Sequence, residues 1–138
     1  MENFRSQFNK NIRFPEGSVK QTTFSTKAYK KIRCCSRKNG LCRKGIATLT
    51  IPAGSTVVRA NDSDGKLRTD QVYVEKLEDL DGNFIDDSFE CTGPFRPGLI
   101  YKTDSVIKPA EPLNTNINNI CVPGIHLFLL KNDARFYF

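Results

Sequence analysis

Cys121-Val122-Pro123-Gly124-Ile125-His126-Leu127-Phe128-Leu129-Leu130 brings together a Pro-Gly corner, the chain's one histidine and its strongest apolar run. A Pro-Gly pair punctuates a chain. The six residues that follow are apolar apart from the histidine, a pattern that suits a strand covered on both faces. The stretch reads as a turn delivering a central strand, with Ile125, Leu127 and Leu129 on one side and His126 and Phe128 on the other. Just beyond it, Asn132 or Asp133 is placed to cap one closing helical turn.

Working outward, the segment from Pro109 to Asn119 carries two prolines and four asparagines and reads as loop. Leu99-Ile100-Tyr101 and Ser105-Val106-Ile107 are short strands, and residues 80–98 are a long irregular excursion. Gln71 to Leu77 and Thr56 to Ala60 are strands. Between them Asp64-Gly65 makes a plain turn; the spacing of Asn61, Asp62 and Asp64 does not continue to the glutamate that closes a calcium loop. From Lys27 to Cys34, Ala28, Ile32 and Cys34 alternate with a basic face. Asn39-Gly40 then favours a tight reversal into a strand over Ile46 to Ile51. The fold class is mainly β: a compact single domain of short, largely antiparallel strands and hairpins with at most short helices. It spans residues 26–138.

Residues 1–25 read differently. Phe4, Phe8, Phe14 and Phe24 are scattered among polar residues without a period, and Pro15 and Gly17 end anything regular. This is an N-terminal extended arm, whose phenylalanines are expected to pack on the domain or on a partner. Charge adds to the asymmetry. Residues 1–44 hold twelve Lys and Arg against Glu2 and Glu16, a balance of +10, while residues 45–138 hold nine against thirteen acids, or −4. Such a chain suits a basic face that docks on an acidic partner. The candidate partner-binding residues are Phe4, Phe8, Phe14, Lys20, Lys30, Lys31, Arg33, Arg37, Lys38, Arg43 and Lys44.

Five cysteines, Cys34, Cys35, Cys42, Cys91 and Cys121, form no C-x-x-C knuckle, so neither zinc nor any other metal or cofactor is expected. An odd count without a hydrophobic signal core points to reduced thiols and no secretion. In an oxidising particle, Cys34 and Cys42 flank the Asn39-Gly40 turn and are the candidate disulfide pair. No apolar run reaches the roughly 18 residues of a membrane span. A Cys121–His126 nucleophilic pair needs contact and a third, orienting group. No serine elbow, phosphate loop or H-E-x-x-H accompanies it, so no enzyme is expected and no catalytic residue is assigned.

Cys121, Gly124, Ile125, His126, Phe128, Ala134 and Tyr137 give the chain an ending that resembles an uncharacterised small domain of large DNA viruses and some phages. That domain ends in Cys-x-x-Gly-Ile-His-x-Phe and often precedes pentapeptide repeats. Ile51-Pro52-Ala53-Gly54, Lys66-x-Arg68-Thr69, and Tyr101-Lys102 followed by Val106 and Pro109 are similar to it in the same order. The chain departs from the pattern in having no tryptophan before Cys121 and no pentapeptide repeat. The resemblance implies a viral origin and an iridovirus-like virion protein, with Cys121, Gly124, Ile125, His126 and Phe128 as structural motif residues.

The expected function is a non-enzymatic structural protein of a large icosahedral DNA virus, a minor capsid component linking neighbouring subunits. Its partners would be other capsid proteins or copies of itself, and its place the virion, with the host cytoplasm during assembly. One alternative is a nucleic-acid-binding module using the basic N-terminal third. A second is a Cys/His-dependent viral enzyme.

Overall fold

The reversal at Asn39-Gly40 forms, and the larger of two sheets grows from it. The computed structural model describes residues 14–94 and 99–137. Its strands are β1 (Ser18–Gln21), β2 (Thr26–Ser36), β3 (Cys42–Ile51), β4 (Thr56–Arg59), β5 (Leu67–Thr69), β6 (Val72–Asp79), β7 (Phe89–Thr92), β8 (Ile100–Tyr101), β9 (Val106–Ile107) and β10 (Ile125–Leu127), followed by one short helix, α1 (Lys131–Arg135). Gly40 takes φ 74°, a value open to glycine at no steric cost. The turn closes through Ser36 N–H to Leu41 O at 2.8 Å.

Six strands pair in the order β8-β7-β2-β3-β6-β9 and four in the order β1-β4-β5-β10, all antiparallel. Alternation along β2 and β3 buries Ala28, Ile32, Cys34, Ala47, Leu49 and Ile51, and these join Val57, Leu67, Ile125 and Leu127 of the smaller sheet in one core. The mainly β, antiparallel fold class is therefore what this chain adopts.

β10 is an edge strand of the four-stranded sheet, not the central strand expected. Its two faces are nevertheless covered. After Leu127 the chain leaves β5, and Phe128 exchanges two backbone hydrogen bonds with Tyr29 of β2, at 2.7 and 2.8 Å. The apolar run thus crosses from one sheet to the other. Ile125, Leu127 and Leu129 enter the main core, while Phe128 packs with Ile46 and Ala134 in a second, smaller cluster, so the expected division of faces holds.

Three further expectations change. Residues 14–25, drawn as arm, belong to the folded body: β1 pairs with β4 along four residues, and Phe14 is 2% exposed within the core. Phe4 and Phe8 lie outside the described residues. The irregular stretch over 80–98 contains β7, which four residues of mixed polarity do not advertise. Finally, α1 is capped at Leu130 without a side-chain hydrogen bond, and Asn132 and Asp133 sit inside the helix.

The cysteines also pair differently. Cys35 bonds to Cys42, and Cys34 to Cys91 of β7. The register of the turn sets Cys35 directly opposite Cys42. Cys34, one residue earlier, points to the opposite, buried face and meets its register partner Cys91.

Candidate functional site

β2 is hydrogen-bonded to β7 from Arg33 to Ser36 and to Phe128 at Tyr29. Between these two contacts its edge at residues 30–32 has no strand beside it among the described residues. A cleft of about 600 Å³ opens there, lined among others by Lys30, Lys31, Lys66, Gly93, Leu99, Tyr101, Pro109, His126, Phe128 and Tyr137.

The alternation of β2 turns Lys30 towards the side that faces the core. Its Nζ donates to the carbonyl of His126 at 2.7 Å and lies 5.9 Å from the centroid of the Tyr101 ring. Burial, with the nearby Lys66 charge adding to it, lowers the Lys30 ammonium to about 8, because a cation taken out of water and set beside another is disfavoured. Lys66, just ahead of β5, donates to the Tyr137 hydroxyl at 2.7 Å and stands 4.8 Å from that ring's centroid. Burial raises the Tyr101 hydroxyl, which stays protonated.

His126 is held from behind. A carbonyl only accepts, so Nε2 carries the hydrogen and donates it to Val122 O at 2.8 Å. Burial pushes the imidazole down to about 4, against that hydrogen bond, with Lys66, Lys30 and Arg68 adding repulsion. The ring is neutral at physiological pH. Gly124 makes this geometry possible: at φ 143° a side chain there would meet Leu113 Cδ1 at 2.7 Å and Arg68 Cβ at 3.1 Å. Cys121, which is in neither disulfide, is exposed at the rim.

Under the cleft, Arg68 is 2% exposed. Its guanidinium donates to three carbonyls of the Pro109–Asn119 loop, those of Asn114, Asn116 and Asn119, at 2.7–2.8 Å. The guanidinium thus holds the loop alongside the loop's own Asx-type bonds, from Asn116 N–H to Asn114 Oδ1 at 2.8 Å and from Asn118 N–H to Asn116 Oδ1 at 2.9 Å. An arginine inside a strand, followed later by an asparagine-rich segment, was the available signal for it. Nothing in the sequence pointed to Lys66, Tyr101 and Tyr137 as neighbours.

The residues expected to bind a partner divide. Phe14 is core. Lys30 lines the cleft. Lys31 is buried and donates to the Arg135 carbonyl at 2.8 Å, tying β2 to the end of α1. Lys20 is exposed on β1. Arg33, Arg37, Lys38, Arg43 and Lys44 gather at the exposed end of the β2–β3 hairpin, where Arg33 and Lys44 are opposite each other in register. Among the described residues the ion pairs are Lys27–Glu75, Arg43–Asp79 and Lys131–Glu78. Of the five, Arg43 is the one with a carboxylate of a described residue within 4 Å. A second depression of about 360 Å³ lies beside this end, lined by Lys31, Arg33, Arg43 and Lys44. No group of three or more His, Cys, Asp or Glu that could hold a metal is found among the described residues.

A family model described as a family of unknown function, DUF5758, matches residues 10–134. Similar chains come from Acanthamoeba polyphaga mimivirus. Uncharacterized protein L796 is 30% identical over 130 residues, covering 94% of this chain and 86% of the relative. Uncharacterized protein L812 is 30% identical over 142 residues, 92% of this chain and 90% of the relative. Uncharacterized protein L223 is 33% identical over 99 residues, 68% of this chain and 62% of the relative. No solved structure matches.

Proposed function

The chain belongs to the DUF5758 family, and from that premise we propose that it is a non-enzymatic interaction module of a large DNA virus, a minor capsid component that joins neighbouring subunits. The viral origin rests on the Mimivirus relatives; the iridovirus likeness rests on the terminal motif alone. The observation that supports the module reading is the basic end of the β2–β3 hairpin. Arg33, Arg37, Lys38 and Lys44 present their charges to solvent without a carboxylate within ion-pair distance among the described residues. A face of this kind steers and orients an acidic partner. Exposed Leu41, at 71%, stands at the same end and supplies an apolar contact.

A protein partner is favoured over nucleic acid by the place of Tyr29. Single-stranded nucleic acid is gripped by stacking bases on exposed aromatic rings. Tyr29 is instead packed against the cluster of Ile46, Phe128 and Ala134. A catalytic role for Cys121 and His126 draws no support from the imidazole, whose basicity burial lowers to about 4, far from the value near operating pH that suits a general base.

The test is mass spectrometry of washed virus particles, with copy number, for the native chain and for a variant carrying Arg33→Glu and Lys44→Glu. The expected result is a virion component at fixed copy number, with the double variant folded but depleted from particles. Absence of the native chain from particles overturns the reading. Binding to nucleic acid that weakens steeply between low and physiological salt, with no loss of particle incorporation in the variant, supports the alternative.

A further inference from the structure

We propose that the cleft at the interrupted edge of β2 is a binding site for a small organic phosphate, a phosphomonoester carried on an apolar or aromatic body, held by Lys30 and Lys66 with the body against Leu99, Tyr101, Pro109 and Phe128. This inference is independent of the capsid reading, because it uses a different face of β2.

Charge is the first argument. Lys30 and Lys66 line the same cleft, with Lys31 beside them. Among the described residues the acid lining the cleft is Glu111, which is exposed and makes no ion pair with Lys30 or Lys66. Two ammonium groups near each other in a partly desolvated cleft repel, and the lowered Lys30 ammonium registers that repulsion together with its burial. A ligand that brings about two negative charges relieves it. A phosphomonoester carries −1.5 to −2 at pH 7, whereas a carboxylate carries one charge. Lysine is a common phosphate ligand, acting as a point charge with three donors.

Shape is the second argument. The volume of about 600 Å³ lies within the range of sites for small molecules, which are mostly apolar with a few convergent polar groups. Here the apolar part is built from Leu99, Pro109, Ile125 and Phe128 and from the faces of Tyr101 and Tyr137. The polar part is fixed before any ligand arrives. Lys30 is anchored on His126 O and Lys66 on the Tyr137 hydroxyl, and each ammonium keeps further protons to donate. Preorganised donors of this kind reduce the ordering cost of binding.

The experiment titrates the full chain with phenyl phosphate, inorganic phosphate, benzoate and a short oligothymidine. Amide resonances and calorimetry are followed at pH 7. Phenyl phosphate is expected to shift residues 30–31, 66, 101 and 126 and to bind at least tenfold more tightly than inorganic phosphate or benzoate. Lys66→Met, at the mouth, and Lys30→Met, deeper, should each weaken it at least tenfold while melting as cooperatively as the native chain. Affinity should fall as pH rises past about 8, where Lys30 loses its proton. Benzoate binding as well as phenyl phosphate, either folded variant binding within twofold of the native chain, or the oligothymidine binding tenfold more tightly than phenyl phosphate would each overturn the proposal.

Discussion

His126 lies directly opposite Arg68 across the β5–β10 pair, a neutral imidazole set against a buried guanidinium. The pairing ties two features together. Arg68 shapes the asparagine-rich loop through three carbonyls, and its charge, with those of Lys30 and Lys66, adds to the burial that keeps the imidazole unprotonated.

That relationship sets a pH dependence. The imidazole is lowered to about 4 in the folded chain, against roughly 6.5 when unfolded. Between these values the unfolded chain binds the extra proton, so stability rises with pH through this window. The contribution is complete above about 6.5 and is lost as pH falls towards about 4. Melting temperatures from pH 4 to 7 should show that slope, and His126→Gln should flatten it.

Arg68→Met is expected to destabilise the chain by about 1–3 kcal/mol, the cost of losing three hydrogen bonds from a buried charged group to the part-buried carbonyls of Asn114, Asn116 and Asn119. The loss is local as well as global. Hydrogen exchange in residues 114–119 should accelerate more than in β2 or β3; uniform acceleration would mean that the loop is held by something other than the guanidinium.

The two disulfides differ in what they close. Cys34–Cys91 spans a sequence separation of 57 and Cys35–Cys42 one of 7. By loop-closure entropy the first contributes about 4 kcal/mol and the second about 2.5 kcal/mol. Replacing Cys34 and Cys91 together by Ala should therefore lower the denaturation midpoint more than replacing Cys35 and Cys42. Non-reducing peptide mapping that finds Cys34 joined to Cys42 would contradict the register.

Leu127 is 0% exposed in the main core, although β10 is an edge strand. Leu127→Ala should cost about 2–5 kcal/mol, since a cavity forms between two sheets that collapse only in part. Urea unfolding measures this directly, and an unchanged midpoint would remove β10 from the core.

Truncation tests how much of the N-terminal segment the body needs. Removing residues 2–13 leaves all ten described strands in the chain and should keep a cooperative thermal transition. Removing residues 2–24 takes away Phe14 and β1 and uncovers β4, and should lower the melting temperature sharply. Equal melting of both forms would show that β1 adds nothing to the fold.

Local pattern and long-range geometry divide what could be known in advance. The sequence by itself determined the antiparallel β class, the Asn39-Gly40 reversal, the inward Ala28, Ile32 and Cys34, the loop from Pro109 to Asn119 and the division of faces around His126. Each depends on residues within a few positions of one another, and strand periodicity reports the face a side chain takes. Periodicity does not report what lies opposite. Tertiary structure alone decided that Cys34 meets Cys91 rather than Cys42, since a one-residue change of register exchanges the two faces of a strand. It alone moved β10 from a sheet centre to an edge, because Phe128 leaves one sheet for the other at Tyr29. It also set Lys30 beside Lys66 and placed Arg68 beneath the loop. These meetings join residues 36 to 51 positions apart, and packing between sheets, rather than any local preference, brings them together.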